Sequence, residues 1–212
     1  MITLIGAEKG GTGKTTVATN LAAIRSKKKN DVMLLDTDTQ GSATYWISTR
    51  DDSKIKPLIF CAQRFGRIDT EISKLSKKFD DVIIDAGGRD SEELRSAMLV
   101  ADRVYIPVQP SQFDVWTINS MANMVQKAIM FNPKMKAYIL LNRASTNPSV
   151  SELDETIKIL SDIEHLNLSA SIIKDRIAFR KAAREGLSVT EMKPPDQKAI
   201  NEINNLYKEI FS

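Results

Sequence analysis

The sequence predicts a doubly wound α/β domain, a mostly parallel sheet with helices on both faces, built as one unit over residues 1–212. Three observations carry this. Short apolar runs recur at Ile2–Gly6, Val32–Leu35, Leu58–Ala62, Val82–Ile84, Val104–Val108 and Ala137–Leu141, and they are continuous rather than alternating, as in strands buried on both faces. Segments of helical length and spacing separate them, and strands alternating with helices form parallel sheets through right-handed crossovers. Chemistry-bearing residues follow three of the runs on their C-terminal side, where open α/β sheets bind ligands.

The first run leads into Thr15–Lys28, where Val17, Ala18, Leu21, Ala22 and Ile24 form an apolar stripe. Lys27-Lys28-Lys29 closes it and is read as a solvated helix end, where cations suit the dipole. Thr70–Lys78 sets Ile72, Leu75 and Phe79 at helical spacing. Ser91–Val100 opens with a serine cap and with Glu92 and Glu93 in its first turn. Ser111–Phe131 is long and stops before Asn132-Pro133, while Ser149–Leu160 carries Ser151 and Glu152 near its start. A late pair, Arg176–Glu185 and Asp196–Phe211, is separated by Gly186 and Pro194-Pro195. In the last segment Ile200, Ile203, Tyr207, Ile210 and Phe211 share one side. The other side mixes Lys198 and Lys208 with Glu202 and Glu209. Membrane-surface helices carry a strongly basic polar face, so this one is expected to dock on the sheet.

Composition narrows the class. A hydrophobic content of 42% and a charged content of 27% are ordinary for a globular domain. Cys61 is the only cysteine, which excludes an internal disulfide and a cysteine-ligated cluster or zinc site within one chain. It ends an apolar run and is expected to be a buried thiol. His165 has no second ligand at metal spacing. No basic-then-apolar leader and no apolar run near the length of a membrane span is present, so a cytoplasmic protein is expected. The net charge of +3 leaves the distribution of charge to decide about nucleic acid.

The strongest local signal is Lys9-Gly10-Gly11-Thr12-Gly13-Lys14-Thr15-Thr16, set between the first strand and the first helix. Strand, glycine turn and helix in that order make a triphosphate cradle, or P-loop. Glycines let backbone N–H groups close around phosphate oxygens, and the helix points its positive end at the same place. Lys14 is positioned to neutralise the β/γ-phosphates and the Thr15 hydroxyl to bind Mg²⁺. The general pattern G-x-x-x-x-G-K-[ST] wants glycine where this chain has Glu8. Asp36 and Asp38 end the second strand on one side of an extended segment, and Asp85 ends the fourth. Thr15 and Asp85 can hold Mg²⁺, with Asp36 in the same shell.

Late in the chain Lys174, Arg176, Arg180, Lys181 and Arg184 fall within eleven residues, opposed there only by Asp175. On a helix Arg176, Arg180 and Arg184 would line one face, with Ile177, Phe179 and Ala183 inward. Such a stripe suits phosphate-backbone contacts to DNA without sequence specificity. A solvated charged face, or for Arg176 a switch or dimer contact, are the other readings.

The segment Lys9–Thr16 resembles the deviant Walker A box of the ParA/MinD group of ATPases. Further matches follow in the group's order. Leu34–Gly41 is similar to its D-x-D-P-Q-G segment, with Thr39 in place of proline, and Val82–Asp85 to its Walker B strand. Ile106–Ser111 is similar to the next strand and loop, and Arg176–Ala183 with Gly186–Val189 to a late segment of the ParA branch. The short chain, with its P-loop near the start, is similar to small ParA proteins that lack an N-terminal helix-turn-helix domain.

The resemblance implies ATP as substrate with Mg²⁺. It implies Lys9 as a signature lysine reaching the partner's nucleotide across a face-to-face homodimer, Asp38 as the residue that orients or activates water, and Asn142 as an adenine contact. Asp85-Ala86-Gly87-Gly88, where many relatives have prolines, is read as a mobile switch loop that senses the γ-phosphate, by analogy with the switch segments of GTPases. At the level of function the resemblance implies a partition ATPase whose ATP dimer binds non-specific DNA over the nucleoid and is stimulated by a ParB-like centromere-binding protein to segregate plasmid or chromosome DNA. No membrane contact is expected. The alternatives are a MinD-like membrane ATPase, a positioning ATPase for non-DNA cargo, and a metabolic enzyme of the same fold, for which no substrate motif is evident.

Overall fold

The computed structural model describes residues 1–110, 115–147 and 152–212. Seven strands form one sheet: β1 (Ile2–Ile5), β2 (Val32–Asp36), β3 (Phe60–Gln63), β4 (Asp81–Asp85), β5 (Arg103–Val108), β6 (Lys136–Ala144) and β7 (Asn167–Lys174). Every pairing is parallel, and the spatial order is β3-β2-β4-β1-β5-β6-β7. The doubly wound class read from the sequence is therefore the fold, with the order reversing at β1.

Among the described residues eight helices flank the sheet: α1 (Lys14–Lys27), α2 (Ser42–Asp52), α3 (Asp69–Leu75), α4 (Glu92–Met98), α5 (Val115–Ile129), α6 (Glu152–Leu160), α7 (Ile177–Arg184) and α8 (Gln197–Phe211). They split into two layers. Val17 and Leu21 of α1, Trp46 of α2, Phe179 of α7 and Ile203 of α8 share one core with Ile5, Leu34 and Ile83. Ile72, Leu94, Ile118 and Leu160 share the other with Leu4, Leu35 and Ile84. Successive strand residues thus feed opposite layers, which is why these runs are apolar throughout.

Three elements depart from the expected pattern. The run expected at Leu58–Ala62 as a strand buried on both faces is the edge strand β3, with Phe60 exposed and Leu58 exposed ahead of it. β7 is an edge strand whose burial alternates, with Ser169, Ser171 and Ile173 inward, so it lacks a continuous apolar run. α2 buries Ala43, Trp46, Ile47 and Arg50, a helical spacing in which an arginine occupies a core position. The starts expected at Ser111 and Ser149 lie outside the described residues.

The caps follow sequence logic. The Ser91 hydroxyl accepts from Leu94 N at 3.2 Å, and Asp196 accepts from the N–H groups of Lys198 and Ala199. Helix α8 docks on the sheet as expected, burying Ala199, Ile203, Leu206, Tyr207 and Ile210, with Glu209 accepting from the hydroxyls of Ser169 and Ser171. Among the described residues no helix is long and apolar enough to cross a membrane. The lysine run at the end of α1 is not simply solvated: Lys27 pairs with Glu191 at 3.2 Å and Lys28 lies over the Tyr207 ring. Cys61 is half-buried, and burial pushes its thiol up to about 11.

Candidate nucleotide site

Strand register builds the site. Ile5 pairs with Asp85 and Asp85 with Asp36, so the loops leaving β1, β4 and β2 meet at one edge. In the first loop Gly11 and Gly13 take φ of +75° and +89°, a region costly for residues with a side chain. A Cβ on Gly13 would also lie 2.3 Å from Asn142 Nδ2. Helix α1 begins immediately after, with its free N–H groups at the loop. The Lys14 ammonium is buried and donates to the Lys9 carbonyl at 3.0 Å. Burial lowers its pKa, and the carboxylates of Asp85 and Asp38 partly offset that. A cleft of about 720 Å³ opens over this loop, bordered by Thr15, Asp38, Gly88, Asn142 and the near side of α7.

The acidic edge is unevenly satisfied. Both carboxylate oxygens of Asp85 are buried without a hydrogen-bond partner. Burial raises its pKa to about 7. The Thr15 hydroxyl lies near enough to oppose this without reaching bonding geometry, and Asp36 adds to the rise. A buried carboxylate without donors is costly, and a divalent cation shared with the Thr15 hydroxyl is the chemistry that would satisfy it. Asp36 differs: it accepts from Asp38 N at 3.0 Å, from Thr44 N at 2.8 Å and from the Thr44 hydroxyl at 2.9 Å. Its lone pairs frame the loop into α2. Thr44, in the first turn of α2 after Gly41, is a site residue that the sequence reading missed.

Asp38 is half-buried and accepts from Gln40 N at 3.0 Å, a local turn closed by its own side chain. Gly87 lies against it. Gly88 lies against the P-loop, where a Cβ would approach Gly10 Cα to 2.9 Å and Lys14 Nζ to 3.2 Å. Glu8, the residue in place of the pattern's first glycine, accepts from the Ser120 hydroxyl at 2.8 Å and so ties the loop to α5. Thr16 accepts through its carbonyl from Asn20 Nδ2 at 2.7 Å. Asn142 is buried at the border of the cleft and donates through Nδ2 to the Thr12 carbonyl at 2.6 Å. Its neighbour Arg143, not anticipated as a site residue, donates to the Gly11 carbonyl at 2.8 Å.

The basic segment is less uniform than its spacing implies. Arg176 is the N-cap of α7, outside the helix, and its guanidinium grips Glu202 of α8 at 2.6 Å. Arg180 pairs with Asp175 at 2.8 Å, while Lys181 and Arg184 are exposed. The expected three-arginine stripe is therefore Arg180 and Arg184. Ala178, Phe179 and Ala182 form the inward face, and Ile177 is 62% exposed rather than inward. Lys174, Arg180 and Arg184 border the same cleft as the P-loop.

Comparison with known proteins agrees with this geometry. Residues 3–189 match the family model described as the CobQ/CobB/MinD/ParA nucleotide binding domain. The chain is 28% identical over 209 residues to Maintenance of carboxysome distribution protein A of Halothiobacillus neapolitanus, spanning 96% of this chain and 93% of that protein. A putative plasmid partition protein of Borrelia burgdorferi B31 bound to AMPPNP superposes with a TM-score of 0.75 at 20% identity, covering 99% of this chain and 97% of that one. The septum site-determining protein MinD of Pyrococcus horikoshii OT3, complexed with Mg-ADP, gives 0.71 at 18% identity, covering 100% and 96%. At those identities the two structures speak for the fold alone. The family match runs from β1 to the segment after α7 and takes in the glycine loop, Asp36, Asp85 and Asn142: the chain belongs to the CobQ/CobB/MinD/ParA family of nucleotide-binding domains.

Proposed function

We propose that this protein is a Mg²⁺-dependent ATPase of the ParA type, an ATP-gated homodimer that holds non-specific DNA in one nucleotide state and releases it in the other to position a cargo. The observation that carries the reading is Asp85, a buried carboxylate with no protein donor, beside Thr15 and the buried Lys14 cation. Such an arrangement is costly for a protein that binds no metal–phosphate group.

In this reading the N–H groups of Gly10–Thr16 and the Lys14 ammonium hold the phosphates, and Thr15 and Asp85 hold Mg²⁺, which when bound neutralises phosphate charge. Asp36 fixes the loop that carries Asp38, and Asp38 orients the attacking water. Lys9 serves the partner's nucleotide across the dimer. Lys174, Arg180, Lys181 and Arg184 contact the DNA backbone, with Arg176 holding α7 to α8. The dimer is nucleoid-associated when ATP-bound.

The cargo has two readings. A ParB-like partner on DNA is the first. The relative named for carboxysome distribution, aligned over 96% of this chain, favours a second, a non-DNA cargo moved by the same cycle. The deciding experiment is phosphate release from Mg-ATP, with duplex binding followed in ATP, ADP and no nucleotide across a salt series. Lys14→Ala should abolish nucleotide binding, and Asp38→Ala should accumulate an ATP dimer. Hydrolysis by Asp38→Ala at the wild-type rate removes Asp38 from the chemistry. Binding of duplex by an Arg180→Ala/Arg184→Ala variant as tightly as wild type at low salt removes α7 from the DNA face.

A further inference from the structure

Strand β6 carries an irregularity at the P-loop. Leu141 pairs with Ile172 and Ala144 with Lys174, so three steps along β6 match two along β7. The extra residue is accommodated at Arg143, whose φ is +55°. This is a β-bulge, a device that re-aims side chains beside functional sites. In a regular strand Asn142 and Arg143 would point to opposite faces. Here both reach the same loop: Asn142 Nδ2 donates to the Thr12 carbonyl at 2.6 Å and Arg143 Nη1 to the Gly11 carbonyl at 2.8 Å.

In a planar trans peptide C=O and N–H point in opposite directions. Pinning the Gly11 and Thr12 carbonyls toward β6 therefore turns the N–H groups of Thr12 and Gly13 the other way. Lys14 holds the Lys9 carbonyl in the same manner at 3.0 Å. The arginine is itself steadied from behind: its Nε lies 3.8 Å from the Asp175 oxygen that also accepts from Arg180 at 2.8 Å.

We infer that Arg143 is a positioning residue for nucleotide binding, which presets the Thr12 amide through the Gly11 carbonyl, beside Asn142, which sets the Gly13 amide through the Thr12 carbonyl. The inference rests on the nucleotide-binding reading of the cleft. A left-handed arginine is strained where glycine is not, so the side chain's contact with the loop has a backbone cost set against it.

That strain supplies the test. Arg143→Gly keeps the bulge, relieves the backbone and removes the donor. Binding of a fluorescent ADP analogue with Mg²⁺ should weaken about tenfold or more, while the thermal midpoint without nucleotide is unchanged or raised. Arg143→Met, which keeps the aliphatic stem, should show the same loss, and Arg143→Lys, which restores a cationic donor, should recover part of it. In turnover, KM for ATP should rise with kcat at saturation little changed. Wild-type affinity in Arg143→Gly overturns the inference. Should that variant not fold, wild-type affinity in Arg143→Met overturns it equally. A wild-type protein that binds neither ADP nor ATP defeats the nucleotide reading itself, a result distinct from tight binding by wild type and variants alike.

Discussion

Arg50 of α2 and Glu191, in the segment after α7, form a two-point ion pair inside the protein, Nη1 to Oε2 and Nη2 to Oε1, both at 2.8 Å. The Arg50 side chain is fully buried and that of Glu191 is 5% exposed. The same glutamate accepts from Ser188 N and meets Lys27, while Arg50 also donates to the Gly186 carbonyl. The pair thus bolts the 186–191 segment to the helix that follows the Asp36–Gly41 loop. Removing one partner strands the other's charge, so Glu191→Ala should destabilise by about 3–5 kcal/mol. Arg50→Met/Glu191→Leu, which leaves neither charge, should recover most of that. Urea unfolding of the two variants checks it, and equal losses in both would show that packing rather than charge dominates.

The same pair sets an acid limit. Burial alone would raise the Glu191 carboxyl, but Arg50, the Ser188 N–H and Lys27 outweigh it, so its folded pKa lies below the ordinary 4.5. A depressed carboxylate contributes stability that is complete above the unfolded pKa and is lost as pH falls through the folded one. Unfolding free energy should therefore drop below about pH 5 in the wild type. It should drop less steeply in Arg50→Met/Glu191→Leu, and parallel profiles would exclude the pair as a source of acid lability.

What the sequence reveals and conceals here follows from how each element is stabilised. β1, β2 and β4 are buried on both faces, so the chain must spell them as apolar runs, and their ends could be placed within a residue or two. The P-loop was legible because left-handed glycines and a lysine at a helix start are local requirements. α2 was hidden because one of its four inward positions is Arg50, whose burial depends on Glu191, 141 residues away. β7 was hidden because an edge strand alternates. At the site, Asp36, Asp85 and Lys14 were found by position. That Asp36 is saturated by Thr44, that Asp85 has no donor and that Arg176 belongs to Glu202 are tertiary facts without a local signature.

Asp85 sets stability against function. Its pKa is raised to about 7 by burial, so the folded chain keeps a proton that the unfolded chain releases near 3.8. Stability is then lost as pH rises between those values. Without nucleotide or metal at pH 8, Asp85→Asn should be more stable than wild type by roughly 1–3 kcal/mol, and the gain should vanish by pH 4. The variant should lose the rise in melting temperature that Mg-ADP gives the wild type. Thermal melts at both pH values, with EDTA and with Mg-ADP, test both arms. An Asp85→Asn protein less stable than wild type at pH 8 would mean that the carboxylate finds a partner in solution.

Adjacent glycines after β4 should respond differently to the same substitution. A Cβ on Gly87 would meet Asp38 at 3.7 Å, an ordinary contact, so Gly87→Ala should be nearly silent in phosphate release. A Cβ on Gly88 would stand 2.9 Å from Gly10 Cα and 3.0 Å from Gly10 N, backbone atoms that cannot yield without moving the P-loop. Gly88→Ala should therefore push the two loops apart and lower kcat roughly tenfold or more, since sub-ångström misplacement of phosphate-binding groups is expensive. The global melting temperature should change little, because the loop lies at the sheet edge and not in either core. Phosphate release and thermal melts of the two variants decide the matter. If Gly88→Ala turned over ATP like Gly87→Ala, the close approach of this loop to Gly10 would have no part in the catalytic cycle.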